Sequence, residues 1–104
     1  MNSPTARRTI TVTAPNGLHM VPCSLIAKFV QPFAGSVRIS RDDVTADAKS
    51  ILDLLQLKAE CGSTVIVEAA GEGADELLDG LVSLFDAGFS VEGQRSSGPD
   101  SVAS

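Results

Sequence analysis

Polar and apolar residues alternate along Thr9-Ile10-Thr11-Val12-Thr13-Ala14, a pattern that predicts a first strand over Thr9–Ala14 buried on one face. Pro15-Asn16-Gly17 breaks it, and Pro22, Leu25, Ile26, Phe29, Val30 and Phe33 then recur at helical spacing. Proline fits a helix only in the first turn, where its missing N–H goes unused, so this helix begins near His19–Met20 and ends at Pro32. Gly35 leads into a second alternating run, Ser36–Ser40; Asp42-Asp43 then turns the chain into a short Val44–Ala48 run, which reads as a hairpin. Ser50 stands at the cap of a short helix bearing Ile51, Leu52, Leu54, Leu55 and Leu57, more apolar side chains than one buried stripe needs, so some of them are expected outside. After the turn Cys61-Gly62-Ser63, a strand over Thr64–Ala69 puts Val65, Val67 and Ala69 on one face, and Gly71-Glu72-Gly73 ends it. The last helix carries Asp75 and Glu76 in its first turn and an inward stripe of Leu77, Leu78, Leu81, Val82, Leu84 and Phe85. Gly88 supplies a left-handed stop, and Phe89 folds back on the last turn.

The predicted order is β-α-β-β-α-β-α. The strands are too short and too regularly alternating for a parallel sheet covered on both sides, which leaves an antiparallel sheet with all helices on one face, a two-layer α+β sandwich. The expected boundaries are a polar arm over 1–8, one domain over 9–89 and, because Ser90–Ser104 has too little apolar content to offset its ordering entropy, a flexible tail over 90–104. A chain of 104 residues holds one core, and hence one site is sought.

Composition narrows the chemistry. A net charge of −5, no Trp or Tyr and four Phe argue against a nucleic-acid binder, which needs cations for phosphates and rings for bases. No run is long and apolar enough to span a bilayer and the opening residues lack the apolar core of a signal peptide, so no membrane association and a cytoplasmic location are expected. Cys23 and Cys61 read as reduced thiols outside any Cys-x-x-Cys pattern. No metal and no cofactor is expected: His19 is the single histidine, and a site using it with Cys23 has only Cys61 left as a soft ligand.

The strongest local signal is Asn16-Gly17-Leu18-His19-Met20-Val21-Pro22, which puts the one histidine at a helix start fixed by proline. First-turn N–H groups have no intrahelical partner and the helix dipole is positive there, so main-chain donors at Met20 and Val21 could hold an anion carried on the imidazole. Imidazole is largely neutral near pH 7 and nucleophilic. The bland reading of the same residue is a solvated or capping histidine.

A resemblance adds weight to the first reading. Thr11-Val12-Thr13-Ala14-Pro15-Asn16-Gly17-Leu18-His19 with Pro22 resembles the active-site region of HPr, the histidine-containing phosphocarrier family of the bacterial phosphoenolpyruvate-dependent sugar phosphotransferase system. Ala48-Lys49-Ser50-Ile51 with Leu54-Leu55 resembles that family's regulatory-serine region, and Gly71-Glu72-Gly73 and Gly88-Phe89 also fit, so the likeness runs from Thr9 to Phe89. It implies an open-faced β-sandwich of four antiparallel strands and three helices. It further implies that His19 accepts a phosphoryl group on Nδ1 from enzyme I and passes it to a IIA-type acceptor, with main-chain N–H groups of Met20 and Val21 holding the phosphate and Asn16 and Gly17 shaping the loop. Partners would dock on Met20, Lys28, Lys49, Ile51, Leu52 and Leu55; a monomer is expected, acting as a phosphocarrier through a phosphohistidine rather than as a free-standing enzyme. Ser50 matches the serine that a kinase/phosphorylase modifies in some members; its structural alternative is a helix cap, and the two are compatible.

One position departs from the family pattern Gly-Leu-His-x-Arg-Pro: Val21 stands where arginine is usual. Losing such a charge-assisted contact costs on the order of 1.5–3 kcal/mol if nothing replaces it, roughly ten- to a hundredfold in affinity or rate. Asp53 also lies where a small or basic residue is common, which weakens steering toward an acidic partner. Three functions therefore compete: a phosphocarrier working through His19; a regulatory binding module working through Ser50 with weakened phosphotransfer; and an unrelated small ligand-binding domain.

Overall fold

The computed structural model describes residues 5–89. Its elements run β1 Thr5–Thr11, α1 Met20–Val30, β2 Ser36–Arg41, β3 Val44–Asp47, α2 Ile51–Leu55, β4 Thr64–Ala70 and α3 Ala74–Asp86. Every strand pairing is antiparallel and the sheet order is β1-β4-β2-β3. Alternation sends one set of side chains inward: Ala6 and Ile10 of β1, Val37 and Ile39 of β2, Ala46 of β3, and Val65, Val67 and Ala69 of β4 are buried. The helices close that face with Cys23, Ile26 and Val30 of α1, Leu54 of α2, and Leu78, Leu81 and Phe85 of α3. Phe85 and Phe89 meet edge to face with ring centroids 4.8 Å apart, so the chain folds back after α3 as expected from Gly88-Phe89. The opposite sheet face is open, and on it the register sets Arg7, Glu68, Arg38 and Asp47 in one row of alternating charge.

Element type and order match the pattern-based reading, and the differences have local causes. Strand β1 starts at Thr5 and ends at Thr11, not over Thr9–Ala14, so residues 5–8 of the expected polar arm are part of the sheet. Local pattern hides this because the partners are distant: Arg7 pairs with Glu68 at 3.9 Å, and Arg8 bridges β1 to α3 through Asp79 at 3.1 Å and Asp75 at 3.2 Å. Hydrogen bonds from Arg8 to Asp79 and Asp75 push its guanidinium above the ordinary value. At the other end, Val12 and Ala14 stay buried, but Val12 now pairs with the turn, donating to Ser63 O and accepting from Gly62 N, each at 2.8 Å. The inward stripe of α1 is also shifted: Cys23 and Ala27 are buried while Phe29 is 41% exposed. Phe29 instead lies across Gly80 of α3, where a Cβ would come within 2.6 Å of its ring. Residues 1–4 and the expected tail, 90–104, lie outside the described residues. Among the described residues no helix is long and apolar enough to cross a membrane.

Candidate functional site

The turn that carries the histidine is held from both sides. Gly17 N–H donates to Ala14 O at 2.9 Å, and Leu18 N–H donates across to Ala59 O at 2.8 Å, tying residues 14–18 to the segment between α2 and β4. Gly17 has a φ of +69°, and a Cβ there would meet Ala59 O at 2.5 Å and Glu60 Cα at 2.8 Å, so the tight approach admits only glycine. Leu18 is buried beneath the loop, which forces His19 outward. His19 is the N-cap of α1 with extended backbone; its side chain makes no capping hydrogen bond and is exposed to solvent.

His19 N–H is used by Gly17 O at 3.1 Å, Pro22 has none, and Cys23 N–H is used by His19 O at 3.1 Å. Among the described residues Met20 and Val21 N–H are left without an acceptor, both on exposed residues, and no acidic residue occupies the first turn. The arrangement therefore offers two main-chain donors and the positive end of an eleven-residue helix beside an unencumbered imidazole, a geometry suited to an oxyanion bonded to that ring. Cys23 does not join it. Its thiol points inward to Leu18 O at 3.5 Å, and burial pushes its pKa up to about 11. Among the described residues no group of three or more His, Cys, Asp or Glu side chains could hold a metal ion.

A second part of the candidate set gathers between α1 and α2. Ser24, Ala27, Lys28 and Gln31 from α1 face Lys49, Ser50, Ile51 and Leu52 across a shallow cleft of about 480 Å³. Met20 lies one turn before Ser24 on that face of α1, at 55% exposure, and Leu52 is 71% exposed, so the excess apolar residues of α2 do face outward. Leu55, one turn after Leu52's neighbour Ile51, is half-buried. The charged members are unequal. Lys28 is exposed, whereas Lys49 Nζ donates to Phe33 O and its stem is half-buried. Ser50 is the N-cap of α2: its Oγ accepts from Asp53 N–H at 3.3 Å, Asp53 Oδ2 accepts from Asp47 N–H at 3.3 Å, and Asp47 Oδ1 accepts from Lys49 N–H at 2.9 Å. The hydroxyl is half-buried in a turn that already holds two carboxylates.

One contributor escaped the local pattern: Ala59, whose carbonyl braces the histidine loop, with Lys58 its chain neighbour. Both lie far from His19 in sequence, and only the left-handed conformation of Lys58, φ +50°, marks that stretch as unusual.

Comparison with known proteins agrees with this geometry. The family described as PTS HPr component phosphorylation site matches residues 6–87. The chain is 33% identical over 86 residues to phosphocarrier protein NPr of Escherichia coli K12, covering 82% of this chain and 96% of that protein. It is 32% identical over 77 residues to phosphocarrier protein HPr of Vibrio cholerae, covering 74% and 91%. The crystal structure of HPr from Thermoanaerobacter tengcongensis superposes with a TM-score of 0.77 at 27% identity, covering 81% of this chain and 94% of that one. HPr from Bacillus anthracis gives 0.74 at 27% identity, with 78% and 96% covered. With the matched order, the antiparallel sheet and the histidine at the start of α1, the chain belongs to the HPr family of phosphocarriers of the phosphotransferase system, whose general partners are enzyme I and IIA domains.

Proposed function

We propose that His19 is the phosphoryl acceptor. Nδ1 attacks the phosphorus of a phosphorylated enzyme I, a new N–P bond forms as the donor's bond to phosphorus breaks, and the donor keeps that electron pair. The reverse sequence at a IIA-type acceptor regenerates the imidazole. The observation that carries the reading is the exposed His19 ring at the N-cap of α1, beside the uncommitted N–H groups of Met20 and Val21. These donors stabilise the dianion without rearranging, since the loop is already fixed by Gly17 and Ala59. Asn16, exposed beside Gly17, completes the turn. Docking uses the face around the α1–α2 cleft: Met20, Ile51, Leu52 and Leu55 as the apolar part, Lys28 and Lys49 as the charged part. The setting is the cytoplasm, where both partner classes act.

The test is incubation with phosphoenolpyruvate and the host's enzyme I. An acid-labile, base-stable phosphate that is absent from His19→Ala supports the reading, and no adduct on the unaltered protein refutes it.

A second reading, regulation through Ser50, is favoured by the place of Ser50 in the cleft wall. A phosphate there would add charge to the docking face. Opposing it, the hydroxyl already caps α2 and lies between Asp47 and Asp53. If Ser50→Asp changes partner binding while His19→Ala leaves it intact, the regulatory reading replaces the first.

A further inference from the structure

A phosphoryl group in transfer carries negative charge that two N–H dipoles neutralise only in part, and the residue nearest those dipoles in the helix, Val21, is an exposed valine. Most cations of the described residues are engaged or distant. Arg7 and Arg8 pair with Glu68 and with Asp75 and Asp79. Arg38 lies in the middle of the open sheet face, aligned with Glu68. Arg41 is spent on Leu57 O at 3.0 Å, Lys58 O at 3.3 Å and Asp42 at 3.1 Å. Lys49 is tied to Phe33 O, and Lys28 lies nine residues along α1 from His19, about 13.5 Å at 1.5 Å per residue. Lys58 differs from all of these. It immediately precedes Ala59, whose carbonyl receives Leu18 N–H at 2.8 Å, and Leu18 immediately precedes His19. Lys58 and His19 are thus each one residue, about 3.8 Å along the chain, from a hydrogen-bonded pair, on adjoining stretches of the braced loop.

The backbone makes the same position conspicuous. Lys58 has a φ of +50°, a left-handed conformation that glycine adopts freely and that costs other L-residues stability. The segment is nonetheless held firmly, by Lys58 N–H on Leu55 O at 3.2 Å and by the Arg41 guanidinium on two consecutive carbonyls. This left-handed turn closes the C-terminal end of α2 and leaves an exposed lysine on the segment that braces the histidine loop. Lys58 is exposed, and among the described residues it forms no ion pair; Glu60 is the acidic group of the same segment.

We infer that Lys58 supplies the cation for the phosphoryl group on His19, its ammonium contacting the phosphoryl oxygens during acceptance and in the phosphorylated carrier. The lysine gives up no proton and forms no covalent bond. The inference rests on His19 being the acceptor, and its test separates the two. With the host's enzyme I and phosphoenolpyruvate, Lys58→Gln lowers the rate of acceptance about tenfold, the size of one charge-assisted contact, and Lys58→Arg restores most of it. Lys58→Gly loses rate as Gln does while its melting temperature rises, because the backbone strain is relieved; a purely structural role predicts the opposite pairing. In the isolated phosphorylated protein, with no partner present, the phosphoryl protonation followed by ³¹P NMR moves to higher pH in Lys58→Gln, since a neighbouring cation favours the dianion. Unchanged acceptance and an unchanged ³¹P titration in Lys58→Gln overturn the role of Lys58 while leaving His19 as acceptor; slower acceptance with an unchanged titration also overturns it, by placing Lys58 in docking alone. Absence of phosphate on the unaltered protein overturns both.

Discussion

Replacing Gly17 by alanine tests the bracing of the histidine loop, and its cost can be worked from two separate terms. The residue sits at φ +69°, where an L-side chain costs about 1–2 kcal/mol. The new Cβ would also stand 2.5 Å from Ala59 O and 2.8 Å from Glu60 Cα, both backbone atoms with little room to move. Overpacking of this kind adds about 1–3 kcal/mol, for a total of about 2–5 kcal/mol. In a domain of this size each kcal/mol lowers Tm by roughly 4–8 °C, so Gly17→Ala should melt at least about 8 °C below the unaltered protein by circular dichroism. Gly62→Ala is the matched control: φ is +95°, but nothing lies within 4 Å of the added carbon, so only the conformational term applies. Relief of the clash by shifting the loop would break the Leu18–Ala59 hydrogen bond and move His19, so Gly17→Ala should also slow phosphoryl acceptance while Gly62→Ala does not. Equal losses of stability in the two variants, or full activity in Gly17→Ala, would show that the close approach at Ala59 does not hold the site.

Other outcomes follow from single residues. Val21→Arg should raise acceptance from an enzyme I of foreign origin by roughly ten- to a hundredfold in a phosphotransfer assay; a flat rate means that the missing arginine does not limit transfer. Ser50→Ala removes the cap of α2 and should cost about 1 kcal/mol in urea denaturation, with Ser50→Asn recovering most of it as an alternative cap. Exposed Cys61 should react with a thiol reagent at pH 8 in the folded state, whereas Cys23 should stay protected until unfolding. Because burial raises the Cys23 pKa from 9.0 to about 11, the folded state holds that proton more tightly. The associated stability is complete below about pH 9 and declines as pH rises toward about 11, a loss that Cys23→Ala should not show.

The sequence pattern carried the element order because each strand alternates and the breaks between elements are marked: Pro32 after the first helix, Gly71 to Gly73 between the last strand and the last helix, and Gly88 after that helix. The helix start near His19–Met20 was legible from Pro22, and with it the unpartnered first-turn N–H groups of Met20 and Val21. What stayed hidden depends on partners distant in the chain. Arg7 and Arg8 look like a solvated arm until Glu68, Asp75 and Asp79 are set beside them, and Phe29 looks like a core residue until Gly80 is seen to offer it a seat on α3. The cleft between α1 and α2 gathers Lys28, Lys49, Ser50, Ile51 and Leu52, and the tethering of Lys49 to Phe33 O could not be read from the pattern. The contacts from Ala59 to Leu18 and Gly17 were likewise invisible, because nothing local in residues 57–60 announces the loop they support.

The most direct measurement is the identity of the phosphorylated atom. Protein labelled at the imidazole nitrogens, charged by phosphoenolpyruvate and enzyme I, should show phosphorus coupled to Nδ1 of His19 in NMR, with the signal returning to that of the free ring when a IIA domain is added. Phosphate on any other residue, or no phosphorus coupling to the His19 ring under conditions where enzyme I itself is phosphorylated, would contradict the account.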